Sequence, residues 1–313
     1  MQSDPSKSQG DGRVADAPQG NWVDRFAPDA FKPYFRMARF DRPIGYWLLF
    51  WPCAMSLALA AVAGKANFPT ISVLWFLIGA IVMRGAGCVF NDIVDRNIDG
   101  LVARTRSRPF PSGQVSVGQA AAFMVVLGLV GLAVLLQFNG FTVWLGIASL
   151  GLVVIYPFMK RATWWPQLFL GLAFSWGALM GWASELGSLS LPAYLLYLGS
   201  IAWVIGYDTI YALQDREDDA LIGVKSTARL FGRNARLAVT IFYTVAVVLW
   251  IAAALSASAG GLFLIASWFA PAILFWQVAT LQPDDPANCL ARFKSNTWVG
   301  LAFTASVWIE YYF

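Results

Sequence analysis

Two groups of aspartates stand where long apolar stretches run out: Asn91-Asp92-x-x-Asp95-x-x-x-Asp99 and Asp208…Asp215-x-x-Asp218-Asp219. Like charges packed together disfavour ionisation unless something positive neutralises them, so carboxylates gathered in this way call for a cation. At helical spacing Asp92, Asp95 and Asp99 fall at i, i+3 and i+7. Asp208, Tyr211, Asp215 and Asp218 or Asp219 repeat the pattern, so each group predicts one acidic helix face. Hard oxygen donors of this kind suit Mg²⁺. Two such faces together would hold a metal-bound anion.

The basic residues sharpen that choice. A site made only for cations has little use for Arg104, Arg108, Arg161 and Lys225 around its rim, whereas a diphosphate uses both signs of charge. Its oxygens bind the metal on one side and cationic side chains on the other. Arg84 lies deeper, seven residues before Asn91 and eleven before Asp95, hence on the same helix face. An arginine inside an apolar run marks a functional site by default, the alternative being a side chain that snorkels to the interface. Its depth suits an acidic group on a second substrate.

The elements that must carry these residues are membrane helices. The chain is 58% hydrophobic and only 13% charged, outside the range of soluble domains. Stretches of about 20 apolar residues predict spans near 44–63, 68–90, 119–137, 141–158, 167–185, 191–211, 237–257, 262–281 and 295–313. Pro271 interrupts the eighth, and Lys294 to Thr297 soften the start of the ninth. Alternating the connections leaves every Lys and Arg except Lys65 on or near one face, which is then cytoplasmic, and both acidic groups land there. For Arg233, Arg236, Arg292 and Lys294 this excess reads as topology signalling. A ligand at that surface needs a charged head and a lipid tail, as in a polyprenyl diphosphate.

The chain contains no histidine, which removes imidazole ligands and a histidine general base. Cys53, Cys88 and Cys289 form no CxxC pair and read as small core residues. Residues 1–30 are rich in Ser, Asp, Gly and Pro and predict a disordered tail that is neither a secretory signal nor an acid-poor presequence. The aromatic and basic run FKPYFRMARF over 31–40 suits an interfacial anchor. Residues 31–313 then form one transmembrane domain. A faint repeat relates span two and its acidic group to span six and its own, which predicts a two-half bundle with the site between the halves.

The runs MRGAGCVFNDIVDRNIDG, RTRSRPFPSG, YPFMKR and YDTIYALQDREDDALIGVKSTARLFG resemble the UbiA-type prenyltransferase family, and within it the branch acting on 4-hydroxybenzoate in ubiquinone biosynthesis. The similarity covers roughly 31–313. It implies an all-α bundle of about nine transmembrane helices in a bacterial inner membrane, with a cap over a Mg²⁺-diphosphate site facing the cytoplasm. Asn91, Asp92, Asp95, Asp99, Asp215 and Asp219 match the metal-holding motifs. Arg104, Arg108, Arg161 and Lys225 match basic positions that bind diphosphate or the aromatic acid, and Tyr207 joins Arg84 among the substrate contacts.

The implied reaction follows from charge. Departure of diphosphate leaves an allylic carbocation, and carbon 3 of 4-hydroxybenzoate attacks it. Asp95 and Asp215 serve catalysis through the metal, and Asp208, two turns deeper than Asp215, assists the phenol. Polyprenyl diphosphate, 4-hydroxybenzoate and membrane lipids are the expected partners, with no nucleic acid and no obligate protein. Other aromatic acceptors, namely homogentisate, a naphthoate, chlorophyllide or haem, are the nearest alternatives. A cation-coupled transporter is a more distant one, since it would place carboxylates near mid-bilayer.

Overall fold

A computed structural model describes residues 17–18, 20–64, 69–99, 105 and 107–313, without the side chains of 97–99, 218 and 222. All regular elements among the described residues are helical. The first six are α1 (Trp22–Phe26), α2 (Lys32–Met37), α3 (Ile44–Gly64), α4 (Thr70–Asp99), α5 (Val117–Leu135) and α6 (Gly140–Ala162). There follow α7 (Pro166–Phe174), α8 (Gly177–Leu186), α9 (Leu191–Ala212), α10 (Arg216–Ile222), α11 (Thr227–Phe231) and α12 (Ala235–Ser256). The last four are α13 (Gly261–Ala266), α14 (Phe269–Ala279), α15 (Pro286–Lys294) and α16 (Asn296–Tyr312).

Seven helical runs among the described residues are long and apolar enough to cross a membrane, which makes this a multi-pass membrane protein. The other two expected spans, 167–185 and 295–313, correspond to the broken pair α7–α8 and to the 17-residue α16. The eighth span breaks at Ser267–Trp268 and not at Pro271. Pro271 sits in the first turn of α14, where its missing N–H has no partner to lose.

The chain forms two compact units. One comprises the described part of Met1–Trp47 with Ile78–Val134, the other Leu48–Leu77 with Leu135–Phe313. In the first, Met37, Val89, Phe110, Val115 and Ala120 pack into one cluster, and Ala38, Ala86 and Leu127 into another. The expected tail ends earlier than residue 30, because α1 is folded. Val23 is fully buried, Asn21 caps the helix by accepting from the Asp24 N–H, and Arg36 grips the Asp24 carboxylate at 2.7 Å.

In the second unit α9 is the central helix, packed by α7, α8, α12 and α15. Lipid tails are as apolar as leucine, so helices here associate through small residues and polar bonds. Gly199 lets α12 approach until an added Cβ would lie 2.8 Å from the Trp250 ring, and Gly206 lies directly against the Tyr243 ring. Trp203 Nε1 donates to Asn296 Oδ1 at 2.7 Å, Tyr243 donates to Gln277 Oε1 at 2.8 Å, and Gln277 Nε2 donates to Ser295 at 2.9 Å. This buried network ties α9, α12, α14 and the start of α16 together. Each bond left unmade in such surroundings costs several kcal/mol, of order ~2–4.

Cys289 on α15 is fully buried, and burial followed by the Asp285 and Asp284 carboxylates pushes its thiol up to about 11. Only the thiolate reacts with alkylating agents. Cys289 is therefore expected to stay unmodified by maleimide at pH 8 in the folded protein, and mass spectrometry of the labelled chain checks this.

Candidate active site

Helix α4 runs unbroken through the first acidic motif, so Asp92 and Asp95 do lie one turn apart on one face. Both are fully buried, while Asn91 is half-buried. Asp92 Oδ1 accepts from Arg39 Nη2 at 2.7 Å, with Arg108 Nη1 3.7 Å away. Asp92 Oδ2 is buried and has no hydrogen-bond partner. A carboxylate oxygen stripped of water and left unbonded is costly, and it is the atom a divalent cation would take. The Asp99 side chain and Arg104 lie outside the described residues.

Arg108 reaches this motif because its loop folds back. Its N–H donates to Thr105 O at 2.9 Å, Gln114 N–H donates to Pro109 O, and Phe110 and Val115 pack with Val89 and Met37. Gly113 supplies the left-handed backbone (φ +76°) that this turn requires. Arg84 lies along the backbone of Gly45, where an added Cβ would stand 2.6 Å from its Nε. That approach brings the deep arginine against the start of α3.

The second motif belongs to the other compact unit. The continuous helical face predicted from Asp208 to Asp219 is interrupted, because α9 ends at Ala212, a 3-10 turn covers Leu213–Asp215, and α10 begins at Arg216. A 3-10 turn has three residues per turn, so the i, i+7 alignment of Asp208 with Asp215 does not carry through it. Asp208, Asp215 and Asp219 are all half-buried. Buried Tyr207 packs edge-on to Trp203 (5.2 Å) and to Phe293 (5.8 Å), which orients its ring.

The loop after this motif is tied to the end of α6. Lys225 N–H donates to Lys160 O at 3.0 Å and Lys225 Nζ to Ala162 O at 3.3 Å, so Lys225 brackets Arg161. A cation there also complements the negative end of α6. Arg161 itself is exposed. Arg229 Nη1 donates to Asp219 O and Val224 O, closing the turn at Gly223. Arg216 pairs with Asp284 at 2.9 Å and links α10 to the loop before α15.

No group of three or more His, Cys, Asp or Glu side chains gathers to hold a metal among the described residues. A hard cation bound here would draw its remaining oxygens from its anionic ligand. Mg²⁺ does this habitually, using one or two carboxylates plus substrate phosphates. The donor set fits that mode.

Arg39 is the residue that spacing arguments miss. The run 31–40 predicts an interfacial anchor and no role at the acidic motif, yet the Arg39 side chain is 10% exposed and bonded to Asp92. It adopts φ +60°, a conformation that costs a residue other than glycine about 1–2 kcal/mol.

The model of the UbiA prenyltransferase family matches residues 49–307. A mitochondrial 4-hydroxybenzoate polyprenyltransferase of Aedes aegypti is 48% identical over 86% of this chain, which spans 61% of that relative's length. A 4-hydroxybenzoate octaprenyltransferase of Shewanella loihica is 40% identical, covering 90% of this chain and 98% of its own. Among solved structures, a UbiA homolog from Archaeoglobus fulgidus bound to GPP and Mg²⁺ aligns with TM-score 0.61 at 17% identity, covering 89% of this chain and 99% of its own. The acidic motif on α4, its arginine partners and these likenesses converge: the chain belongs to the UbiA prenyltransferase family.

Proposed function

We propose that this chain transfers a polyprenyl group from polyprenyl diphosphate to carbon 3 of 4-hydroxybenzoate, with Mg²⁺, as a step of ubiquinone biosynthesis. The observation that carries the proposal is the divided carboxylate of Asp92, with one oxygen on Arg39 and the other buried without a partner one turn from Asp95. The activities named for the relatives in mosquito and Shewanella support the acceptor.

Asn91, Asp92, Asp95, Asp99, Asp215 and Asp219 are the residues that would hold the metal. Bound there, Mg²⁺ would supply positive charge that offsets the negative charge of the leaving diphosphate. Arg104, Arg108 and Lys225 take the remaining phosphate oxygens. With that charge stabilised, the allylic C–O bond breaks, diphosphate keeps the electron pair, and the prenyl carbon becomes a carbocation. Arg84 orients the aromatic acid by its carboxylate, with Arg161 as the second candidate for that role and Tyr207 beside the ring. Asp208 accepts a hydrogen bond from the phenol, which raises electron density at the ortho carbon. That carbon attacks, and its proton passes to a carboxylate or to diphosphate, since no histidine exists to take it.

The two motifs belong to different compact units, and residues 31–313 are proposed to work as one domain. The distribution of Lys and Arg supports a bacterial inner-membrane protein with its site facing the cytoplasm. The test is to incubate membranes carrying the chain with labelled 4-hydroxybenzoate, a polyprenyl diphosphate and Mg²⁺. Prenylated product is expected with Mg²⁺ and none with EDTA. No product under either condition would remove the assignment.

A further inference from the structure

The chain on both sides of Arg39 is gripped by α1. On one side, Arg36 places Nη2 and Nε 2.7 and 3.1 Å from Asp24 Oδ1, in a pair whose side chains are 8% and 17% exposed. Asp24 is itself fixed, because Asn21 Nδ2 donates to its Oδ2 at 2.8 Å. On the other side, Trp22 Nε1 donates to Phe40 O at 2.7 Å. The carbonyl of Arg36 then accepts twice from Arg39, from its backbone N–H and from Nη1, both at 3.1 Å. Nη2 of the same guanidinium reaches Asp92 Oδ1 at 2.7 Å.

Arg39 holds a left-handed backbone at φ +60°, which a residue with a Cβ leaves unless its neighbours prevent it. The neighbours here are Arg36 and Phe40, and each is tied to α1. A five-residue helix has no stability of its own, so its hold depends on the Asn21 cap, buried Val23 and the Asp24–Arg36 pair. We infer that Asp24 is a positioning residue for the first acidic motif: through Arg36 it sets Arg39 against Asp92 and so fixes which Asp92 oxygen is presented to a divalent cation. The inference rests on Asp92 being a ligand of the metal-bound diphosphate, as proposed above.

The test uses the full chain purified in detergent. Heat-denaturation midpoints are recorded against Mg²⁺ at fixed inorganic pyrophosphate, and KM values are measured for both substrates. Asp24→Asn is expected to raise the Mg²⁺ needed for half-maximal stabilisation roughly tenfold, the usual consequence of losing a group that orients a metal ligand. KM for 4-hydroxybenzoate should stay within about twofold, because Asp24 does not touch that substrate. Asp24→Glu keeps the carboxylate and should restore most of the affinity. Trp22→Phe, which deletes the bond to Phe40 and keeps an aromatic ring beside Phe35, should shift the Mg²⁺ requirement in the same direction by less, and it decides the matter should Asp24→Asn fail to fold. An unchanged requirement in Asp24→Asn and Trp22→Phe, with a raised one in Asp92→Asn, overturns the positioning role and leaves the site intact. An unchanged requirement in Asp92→Asn removes the first motif as a metal site, and the role of Asp24 with it.

Discussion

Asp95→Ala is expected to lower turnover by roughly a thousandfold while the protein remains inserted in the membrane. Asp95 is fully buried on α4, one turn beyond Asp92. Alanine is the strongest helix former, so the substitution keeps α4 helical while removing the carboxylate. A large loss of rate then reports on charge at that position and not on folding. Asp29→Ala is the control. Asp29 carries a carboxyl held below its ordinary range by its hydrogen bond to Lys32, yet it is exposed to solvent and not buried on α4. Its rate should match the parent. Product formation in membranes, normalised to protein detected in the same membranes, measures both, and near-normal turnover in Asp95→Ala would refute its place in the metal site.

Gly206→Val should be the most damaging change far from the chemistry. An added Cβ at 206 meets the Tyr243 ring, and that ring cannot swing aside because its hydroxyl is bonded to Gln277 and its side chain is buried. Overpacking costs about 1–3 kcal/mol when neighbours can adjust, and here the adjustment would break a buried hydrogen bond, so the upper end, about 3 kcal/mol, is expected. The detergent-solubilised Tm should fall accordingly. Adding Tyr243→Ala to Gly206→Val should recover part of the loss, since the two sites share one space. A Tm for Gly206→Val equal to that of the parent would show that α9 and α12 do not pack as described.

The helices of this fold are legible because the bilayer imposes one length. The span expected at 44–63 is α3, Ile44–Gly64, and that expected at 191–211 is α9, Leu191–Ala212. Helix α4 was legible as an apolar run ending in an acidic face, since both signals share the 3.6-residue period. The breaks were not. Ser175 and Trp176 separate α7 from α8 without a proline at the break. Pro271, the residue that did look like a breaker, falls where a helix tolerates it. On α4, the placing of Asp92 and Asp95 on one face was readable from their spacing. The arginine that holds Asp92 was not, because its conformation is set by contacts with α1 distant in sequence and no glycine or asparagine announces a positive φ. The 3-10 turn that ends at Asp215 was equally silent, since Leu-Gln-Asp suits an α-helix as well.

The polar bonds around α9 also impose an order of assembly. Trp203, Tyr243, Gln277 and Asn296 leave the ribosome in that sequence, and the indole of Trp203 finds its acceptor only on the last of them. Until α16 enters the membrane, the earlier helices carry polar groups that hydrocarbon cannot satisfy and that are free to pair wrongly. The polar network around α9 and α12 is therefore fully satisfied only once α16 has entered the membrane, so that helix completes the assembly of this part of the bundle.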